Sequence, residues 1–416
     1  CPEKKINAAV EKLLMEQSVI ETVPRDKCCG CGCCLAVCPR SAIEMNIDEE
    51  GFLRPQLRGN DCKCCGLCVK VCSAVKYQPR YDIRDNYPFA LWAEDSRIRL
   101  MASSGGAALL MALAFNNKGY ATLGAVFTEG FRSVKHIVAD NPADIIKTAG
   151  SKYVQSDSAA AFRDALSDKH KKYLAFGTPC QISGLRKLIV HNKVEQNYFL
   201  IDFFCHGVPS YLLWWAFIDN LVKKIKGLQH LELRNKIRGW HKFGIFAVGE
   251  KGRYFKDFSK DFFGRFYLSN YCLRPSCYSC PYRQYTEADL RVGDFWGREF
   301  SNDYLGMSLA VPLNEKGLEL IEKTPGLLFR SVPKSWLLDS QPSVKQTSLF
   351  VPADNTVVMR ELSEGKLLVD IYRKHLSWKY RKKAVKQFPY RLAATVLPPG
   401  AKKLLRVARR LLGGQR

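Results

Sequence analysis

Eight cysteines near the start of the chain repeat one spacing twice. Cys28 opens a run in which further cysteines follow after three, three and four residues, and Cys62 opens a second copy. Thiolates placed three residues apart can wrap a cubane 4Fe–4S cluster, and the fourth thiolate of each run completes the other cluster. This crossed rule predicts two ligand sets, namely Cys28, Cys31, Cys34 and Cys72 for one cluster and Cys62, Cys65, Cys68 and Cys38 for the other.

Zinc sites and disulfides are the alternatives for this cysteine-rich block. Zinc needs only four thiolates and tolerates many spacings, but two full copies of this run are rarely used for it. Pro39 follows the first run, whereas Ser73 stands at the equivalent place in the second. The block resembles the bacterial two-cluster ferredoxins over its whole length, which implies one-electron transfer without substrate chemistry. Cys29, Cys33 and Cys64 fall outside the pattern and are predicted to be ordinary buried or loop thiols.

Five further cysteines lie downstream of the block. Cys180 directly follows one predicted strand, and Cys205 directly follows the next. If these strands are parallel neighbours, both thiols emerge at the same edge of the sheet, where doubly wound folds keep their sites. Cys272 lies just before a proline-containing loop that holds Cys277 and Cys280, and a Cys-x-x-Cys in such a loop is a good chelating hairpin.

Four motifs occur in order in this part of the chain: Gly177–Gln181, Phe204–Cys205, Cys277–Cys280 and Ala288–Asp294. With them, the chain from about Phe89 to about Leu313 resembles the coenzyme F420 hydrogenase/dehydrogenase beta-subunit family, which also includes plant 7-hydroxymethyl chlorophyll a reductase. The resemblance implies FAD, an iron–sulfur cluster, and electron transfer between clusters and an organic acceptor through the flavin.

By the same resemblance, Cys180, Cys205, Cys277 and Cys280 would hold a third 4Fe–4S cluster. Cys272 departs from the simplest version of the motif, although its spacing to Cys277 also suits a ligand. The sequence leaves open which four of the five cysteines are used. The alternative is that all five are buried structural thiols.

Small residues mark a possible flavin site. Ser103, Ser104, Gly105 and Gly106 precede a predicted helix over Ala107–Phe115. Free N–H groups at a helix N-terminus suit a pyrophosphate, although a plain helix cap has the same composition. No Gly-x-Gly-x-x-Gly fingerprint follows the early strands, so no Rossmann NAD site is predicted.

A second segment, residues 150–156, also resembles a family segment near the flavin. There Lys152 is expected to neutralise phosphate charge, and Gln155 lies beside it. The alternative for this segment is a surface turn. The Gly177–Gln181 motif adds Thr178 and Gln181 as predicted cofactor contacts.

Candidate catalytic residues lie in the segment Asn235–His241. Lys236 and His241 stand there beside a tryptophan, and His241 is predicted to donate a proton to a reduced carbon. An ordinary cationic loop would have the same residues. His206 is expected to tune a cluster through hydrogen bonds, and Asp294 either serves the site or caps a turn.

These residues require elements that position them. Buried strands are predicted at Tyr173–Phe176 and Phe199–Phe204, with helices following at Ser183–Ile189 and Leu212–Ile225. The alternation predicts an α+β multidomain chain in which a ferredoxin-like domain precedes a mixed α/β domain that binds flavin and a cluster. The predicted divisions are an N-terminal helix (1–24), the ferredoxin-like domain (25–77), the catalytic domain (89–353) and a helical C-terminal region with a basic tail (354–416).

The net charge of +24 is concentrated at the C-terminus. Residues 371–416 contain fourteen Lys or Arg residues and no Asp or Glu. The segment Ala401–Leu412 has the composition of an interfacial amphipathic helix, which predicts contact with an anionic membrane surface, whereas a solvated tail is the alternative. Nucleic-acid binding rests only on aromatic and basic residues alternating near Trp378, and is judged unlikely on this basis.

The sequence thus predicts an iron–sulfur flavoprotein that takes electrons from a carrier such as ferredoxin and reduces an organic small molecule. Crowded cysteines in an enzyme-sized chain, an odd total of 17, and the lack of a secretory signal at the start predict a cytoplasmic protein, peripheral at the inner membrane face if the tail binds there. The alternatives are a non-catalytic electron-transfer subunit of a hydrogenase or dehydrogenase complex and a cluster-containing nucleic-acid binder.

Overall fold

A computed structural model describes residues 17–75 and 79–380. The basic tail beyond residue 380 and most of the predicted N-terminal helix therefore lie outside the described residues, and the membrane contact of the tail stays a prediction. Within the described part, no helix is long and apolar enough to cross a bilayer.

The helices and strands are numbered here in chain order. The helices are α1 Val19–Thr22, α2 Cys33–Val37, α3 Leu67–Lys70, α4 Ser96–Met101, α5 Ala107–Asn116, α6 Pro142–Thr148, α7 Ala159–Ser167, α8 Pro179–His191, α9 Tyr211–Ile225, α10 Phe262–Leu268, α11 Pro275–Tyr278, α12 Glu315–Glu322, α13 Lys334–Ser340, α14 Asn355–Ser363 and α15 Leu368–His375. The strands are β1 Ile43–Ile47, β2 Leu53–Leu57, β3 Tyr81–Asp82, β4 Phe89–Ala93, β5 Tyr120–Phe127, β6 Val134–Ala139, β7 Ser156–Asp157, β8 Lys172–Gly177, β9 Tyr198–Phe203, β10 His230–Asn235, β11 Gly244–Gly249, β12 Gly252–Asp257, β13 Tyr285–Thr286, β14 Leu290–Asp294, β15 Ser308–Pro312 and β16 Leu327–Ser331.

A nine-stranded mixed sheet forms the centre of the chain, in the order β16-β4-β15-β14-β9-β8-β5-β6-β7. Its middle strands β14, β9, β8 and β5 are parallel, and the strands on both sides of them include antiparallel pairs. The predicted strands at β8 and β9 are confirmed as parallel neighbours, and α8 and α9 confirm the helices predicted after them. The mixed α/β architecture is therefore as predicted.

The cysteine-rich block, residues 25–75, lies against this sheet through α8. It consists of the antiparallel hairpin β1–β2 and the short helices α2 and α3. Cys31 and Cys33 share one buried core with Ile182 and Leu185 of α8. Gly184 permits the contact, because a Cβ there would come within 2.4 Å of Cys33 Sγ. The block and the α/β part are thus packed together rather than tethered by a linker.

The largest apolar core surrounds α9. It includes the fully buried Trp214 of that helix and residues of the small sheet β10–β11–β12. Helices α14 and α15 add Val358 and Ile371 to the same core, both at most 1% exposed. The helical segment after residue 354 therefore packs onto the α/β part.

A buried ion pair joins β9 to β14 beside the edge where the candidate thiols emerge. Arg291 donates two hydrogen bonds to Asp202, at 2.7 and 2.6 Å, and Thr286 Oγ1 donates a third at 2.6 Å. Both charged side chains are at most 1% exposed. Because breaking a buried pair leaves one charge without compensation, this contact is costly to lose.

We predict that Asp202→Ala lowers the free energy of unfolding by about 3–5 kcal/mol, because Arg291 would stay buried without its partner. Denaturant unfolding followed by tryptophan fluorescence measures the loss. Glu319→Ala is the matched control, since its pair with Lys323 is 38% and 64% exposed and is expected to contribute under about 1 kcal/mol. Equal effects of the two substitutions would contradict the prediction.

Candidate metal-cluster and cofactor site

The first predicted thiol set lies around one cavity. Cys28, Cys31, Cys34 and Cys72 all line a space of about 260 Å³. Burial raises the pKa of the Cys34 thiol, and the neighbouring Cys31, Cys28 and Cys72 raise it further because ionised thiols would repel one another. The structure thus brings together the crossed set in which Cys72 comes from the second run.

The second predicted set lines a smaller cavity. Cys38, Cys62, Cys65 and Cys68 surround it, and burial followed by the nearby Cys65 and Cys62 raises the pKa of Cys68. Cys65 is exposed, whereas Cys31 of the first set is buried. The second set therefore faces solvent, and the first lies between it and the α/β part.

The third candidate set begins at the carboxyl edge of the sheet. Cys180 lies in the first turn of α8, where Pro179 and a capping box from Thr178 to Gln181 fix the start of the helix. Cys205 follows β9 by two residues. Because β8 and β9 are parallel neighbours, the edge predicted from the sequence does place both thiols together.

A loop supplies the other two thiols of this third set. Arg274 N donates to Val208 O at 2.8 Å, which ties the loop before Cys277 to the segment after β9. Burial raises the pKa of Cys205, and Cys277, Cys180 and Cys280 raise it further. Burial, Cys277 and Cys180 likewise raise the pKa of Cys280 to about 12. The bare set is therefore neutral, and a metal cluster would take its members as thiolates.

Cys272 lies apart from these four cysteines. It is fully buried in the apolar core around α9, and burial is the cause that raises its pKa. Its backbone N–H donates to Asn355 Oδ1 at 2.8 Å. The residue is thus placed as a core thiol that faces α14 rather than the other downstream cysteines.

Two buried arginines fit an anionic cluster at this place. Arg283 donates to the carbonyl oxygens of His206 and Cys277, yet its Nε and Nη1 have no partner within the described ranges. Arg274 Nε is also unpartnered there. No described carboxylate is within 4.0 Å of either guanidinium, so thiolates bound to a cluster would supply the missing negative charge.

Cys29 connects the first and third sets, which sequence reasoning missed. Its Sγ is within hydrogen-bonding distance of Cys180 and Cys31, and it lies 3.1 Å from Ser73 Oγ. The cysteine spacing gave no signal of this position, because only the packing of the block onto α8 brings residue 29 beside residue 180. Every described cysteine is a free thiol, so none of these contacts is a disulfide.

A pocket of about 740 Å³ opens beside the third set. Cys180 and Cys205 line one side of it, and Trp296, Phe243 and Tyr153 line another. The volume is in the range of sites that bind cofactors and small ligands. The pocket therefore places a space for an organic group directly against candidate cluster ligands.

The predicted pyrophosphate cradle lies partly on this pocket. Ser103, Ser104 and Gly106 line it, and α5 begins after Gly106 without a side-chain cap. The Ser104 hydroxyl donates to Met307 O at 2.6 Å, and Gly105 N donates to Ser308 Oγ at 3.0 Å. The free N–H groups at the start of α5 remain available to a ligand, whereas the side chain of Ser104 is already bonded within the protein.

Lys152 and Gln155 line the same pocket but have internal partners. Lys152 Nζ donates to the carbonyls of Lys147, Thr148 and Ala149, so it caps the end of α6, and burial lowers its pKa to about 7. Gln155 donates to the carbonyls of Cys29 and Gly30 and accepts from Arg274. It therefore joins the α/β part to the loop of the first set.

Thr178 and Gln181 lie at the edge of the pocket beside Cys180. Thr178 Oγ1 is 3.2 Å from Cys180 Sγ and 3.0 Å from Gln181 Oε1. Gln181 Nε2 donates to Ser156 and Ser158. Both residues are thus placed to orient the start of α8, and with it the Cys180 thiol.

The two candidate catalytic residues are placed differently. His241 lines the pocket, and its Nε2 is 3.0 Å from Phe300 O. Lys236 is 3% exposed and donates to the carbonyls of Arg99, Ser104 and Leu305. Burial, followed by Arg234, lowers the pKa of Lys236 to about 7. Lys236 therefore lies behind the pocket wall, among backbone carbonyls.

Arg234 is a site residue that sequence reasoning missed. It donates to both carboxylate oxygens of Asp294, at 2.6 and 2.8 Å, and lies over the ring of Phe243 at 3.9 Å. Both partners of this ion pair line the pocket. Asp294 also accepts from Trp240 Nε1 at 2.8 Å, so it holds the aromatic wall as well as the end of β14.

His206 lies next to Cys205 on the pocket wall. Its Nε2 is 3.2 Å from Tyr267 O, and burial followed by the positive charge of Arg283 lowers its pKa to about 4. The ring is therefore neutral near pH 7, and the carbonyl contact requires Nε2 to carry the proton.

Comparison with known proteins gives this geometry a family. Residues 170–326, which contain all of the third set, match the family model for the C terminus of the coenzyme F420 hydrogenase/dehydrogenase beta subunit. The F subunit of the F(420)H(2) dehydrogenase of Methanosarcina mazei is 24% identical over 332 residues, which cover 75% of this chain and 90% of that protein.

A second relative matches over a shorter stretch. The coenzyme F420-dependent sulfite reductase of Methanocaldococcus jannaschii is 34% identical over 180 residues, which cover 42% of this chain but only 27% of that protein. A chain from the F420-reducing nickel–iron hydrogenase complex of Methanosarcina barkeri aligns with 17% identity and a TM-score of 0.43, over 70% of this chain and 91% of that one. By its matched domain and its relatives, this chain belongs to the coenzyme F420 hydrogenase/dehydrogenase beta-subunit family.

Proposed function

We propose that this chain is an iron–sulfur flavoprotein oxidoreductase that passes electrons from a low-potential carrier such as ferredoxin, through 4Fe–4S clusters, to FAD and on to an organic acceptor. One observation carries the proposal. Cys180 and Cys205 line a pocket large enough for a cofactor, and the same Cys180 is in contact with Cys29 of the cysteine-rich block.

The arrangement of the thiol sets supports a linear path. The second set faces solvent through Cys65, and the first set is buried where the block meets α8. The third set follows, directly beside the pocket. A carrier could therefore deliver electrons at the outer set without access to the pocket.

The residues that would hold the third cluster are Cys180, Cys205, Cys277 and Cys280. Each of the last two lies close enough to Cys180 for the charges of ionised thiols to interact. Cys272 is left out because it lies in the apolar core. Arg283 and Arg274 would offset the negative charge of the thiolates.

FAD, when bound, supplies the conversion of single electrons into transfer of a hydride equivalent. The start of α5 after Gly106 would bind its pyrophosphate, and Ser103 and Ser151 would line that end of the pocket. Trp296 and Tyr153 would contact flat rings.

His241 is the residue proposed to exchange a proton with the organic acceptor. Its Nε2 faces the Phe300 carbonyl, which can only accept, so Nε2 carries a proton and Nδ1 is the nitrogen that can exchange one. Arg234 would hold this wall of the pocket through Asp294 and through stacking over Phe243.

The second candidate function is electron transfer within a dehydrogenase complex, as one of its subunits. The Methanosarcina mazei relative, of which 90% is covered, is named as a subunit. On this account the pocket would serve a diffusing carrier rather than a separate organic substrate. The protein partner would then dock near the first or second thiol set, where ferredoxin is otherwise proposed to bind.

The cluster assignment predicts about twelve irons per chain, as three 4Fe–4S clusters. Cys205→Ala and Cys280→Ala should each remove about four irons and leave the two outer clusters reducible, because each removes one ligand of the third cluster only. Cys272→Ala is the matched control and should keep the full iron content. Iron analysis and low-temperature EPR of anaerobically purified protein measure this. Eight irons in the wild-type chain, unchanged by the two substitutions, would sink the assignment.

The flavin assignment predicts one FAD released per chain on acid denaturation. Ala108→Trp should reduce the bound FAD severalfold, since Ala108 lines the pocket and a bulky ring would fill it. Leu110→Trp is the control, because Leu110 is on the same helix and packs against the apolar core on the other side of the pocket wall. Both variants should keep their iron. An equal loss of FAD in both would point to damage to α5 instead.

The carrier assignment predicts that an acidic ferredoxin, kept reduced, reduces the bound flavin, and that the rate falls as salt is added. Stopped-flow absorbance under anaerobic conditions follows both clusters and flavin. Reduction by a small viologen, with no response to ferredoxin at any salt concentration, would remove ferredoxin as donor and favour the role within a larger complex.

A further inference from the structure

Two polar residues outside the ligand pattern lie between the first and third thiol sets. Cys29 is the extra thiol directly after Cys28, and Ser73 replaces the proline found after the first run. Ser73 is 2% exposed, and Cys29 lines both the cavity of the first set and the large pocket.

Hydrogen bonds join these residues into one chain. The Ser73 hydroxyl donates to Cys31 Sγ at 3.8 Å, and its oxygen is 3.1 Å from Cys29 Sγ. Cys29 Sγ is in turn within hydrogen-bonding distance of Cys180. The chain therefore runs from a thiol of the first set to a thiol of the third.

The backbone holds both residues in place. Gln155 Nε2 donates to Cys29 O at 3.1 Å, and Tyr282 OH donates to Ser73 O at 2.9 Å. If Ser73 uses its proton on Cys31, the Cys29 S–H is free to donate to Cys180. Thr178, the other hydroxyl near Cys180, also has Gln181 Oε1 as an acceptor at 3.0 Å.

We propose that Ser73 and Cys29 set the distribution of electrons between the first and third clusters, Ser73 through its hydrogen bond to Cys31 and Cys29 through its hydrogen bond to Cys180. The inference rests on the proposed function, which makes Cys31 and Cys180 cluster ligands. In the step concerned, one electron leaves the first cluster, which is oxidised, and reduces the third; no bond breaks and the thiol proton stays on Cys29.

The physical basis is the charge of a reduced cluster. A hydrogen bond donated to a ligand thiolate stabilises the more negative reduced state, so it raises the reduction potential of that cluster. Removing Cys29 should therefore lower the potential of the third cluster, whereas removing Ser73 should lower that of the first. The two substitutions should move electrons in opposite directions.

The test is an EPR-monitored redox titration of the full chain with its clusters. Cys29→Ala is expected to shift the electron distribution toward the first cluster by about tenfold, or about 59 mV for one electron, and Ser73→Ala toward the third by a similar factor. The signals of the third cluster are identified as those missing from Cys205→Ala. Cys29→Ser keeps a donor and should restore the wild-type distribution.

Several outcomes would overturn the inference. Variants that hold about twelve irons but show unmoved potentials, or shifts of the same sign, would show that these hydrogen bonds do not set the distribution. A loss of four irons from Cys29→Ala that Cys29→Ser does not restore would make Cys29 a ligand instead. A wild-type chain with about eight irons would overturn the third cluster, and with it the proposed function.

Discussion

The parallel pairing of β8 with β9 is the constraint on which the rest of the site depends. Their register, with Gly177 opposite Asp202, places the turns that carry Cys180 and Cys205 at one edge of the sheet. The Arg291–Asp202 pair fixes β14 in the adjacent position, and Asp294 at its end then reaches the pocket. Thiols that are 25 residues apart in the sequence become neighbours only because these strands run in the same direction.

A second constraint holds the cysteine-rich block against that edge. Arg274 donates to Cys28 O and Leu53 O and contacts Gln155, which itself donates to Cys29 O. One buried arginine thus links the loop of Cys277 to the loop of the first set. A buried guanidinium needs acceptors in defined positions, so these contacts fix the separation between the candidate clusters rather than only adding stability.

Much of this could be predicted from local sequence. The two cysteine runs, the strands before Cys180 and Cys205, and the helix at Ala107 all show in short stretches of residues, and the structure has them where they were expected. The crossed grouping of Cys72 with Cys28 also followed from spacing, because the geometry of a cubane is local to each run.

What sequence could not predict depends on residues brought together from afar. The exclusion of Cys272 from the third set comes from its burial against α14, and the position of Cys29 comes from the packing of α2 on α8. The internal partners of Lys152 and Lys236 were equally hidden, since each bonds to carbonyls whose direction depends on the fold. A charge in a motif indicates a cation, but its neighbours decide whether a ligand can reach it.

The central claim is that three clusters form a path to the pocket. Anomalous diffraction at the iron absorption edge, from crystals grown without oxygen, tests this most directly because it locates the iron atoms themselves. The account predicts three compact iron sites in each chain, the third enclosed by Cys180, Cys205, Cys277 and Cys280 next to the pocket. Two sites confined to the cysteine-rich block, with no iron signal beside Cys205 in fully loaded protein, would contradict it.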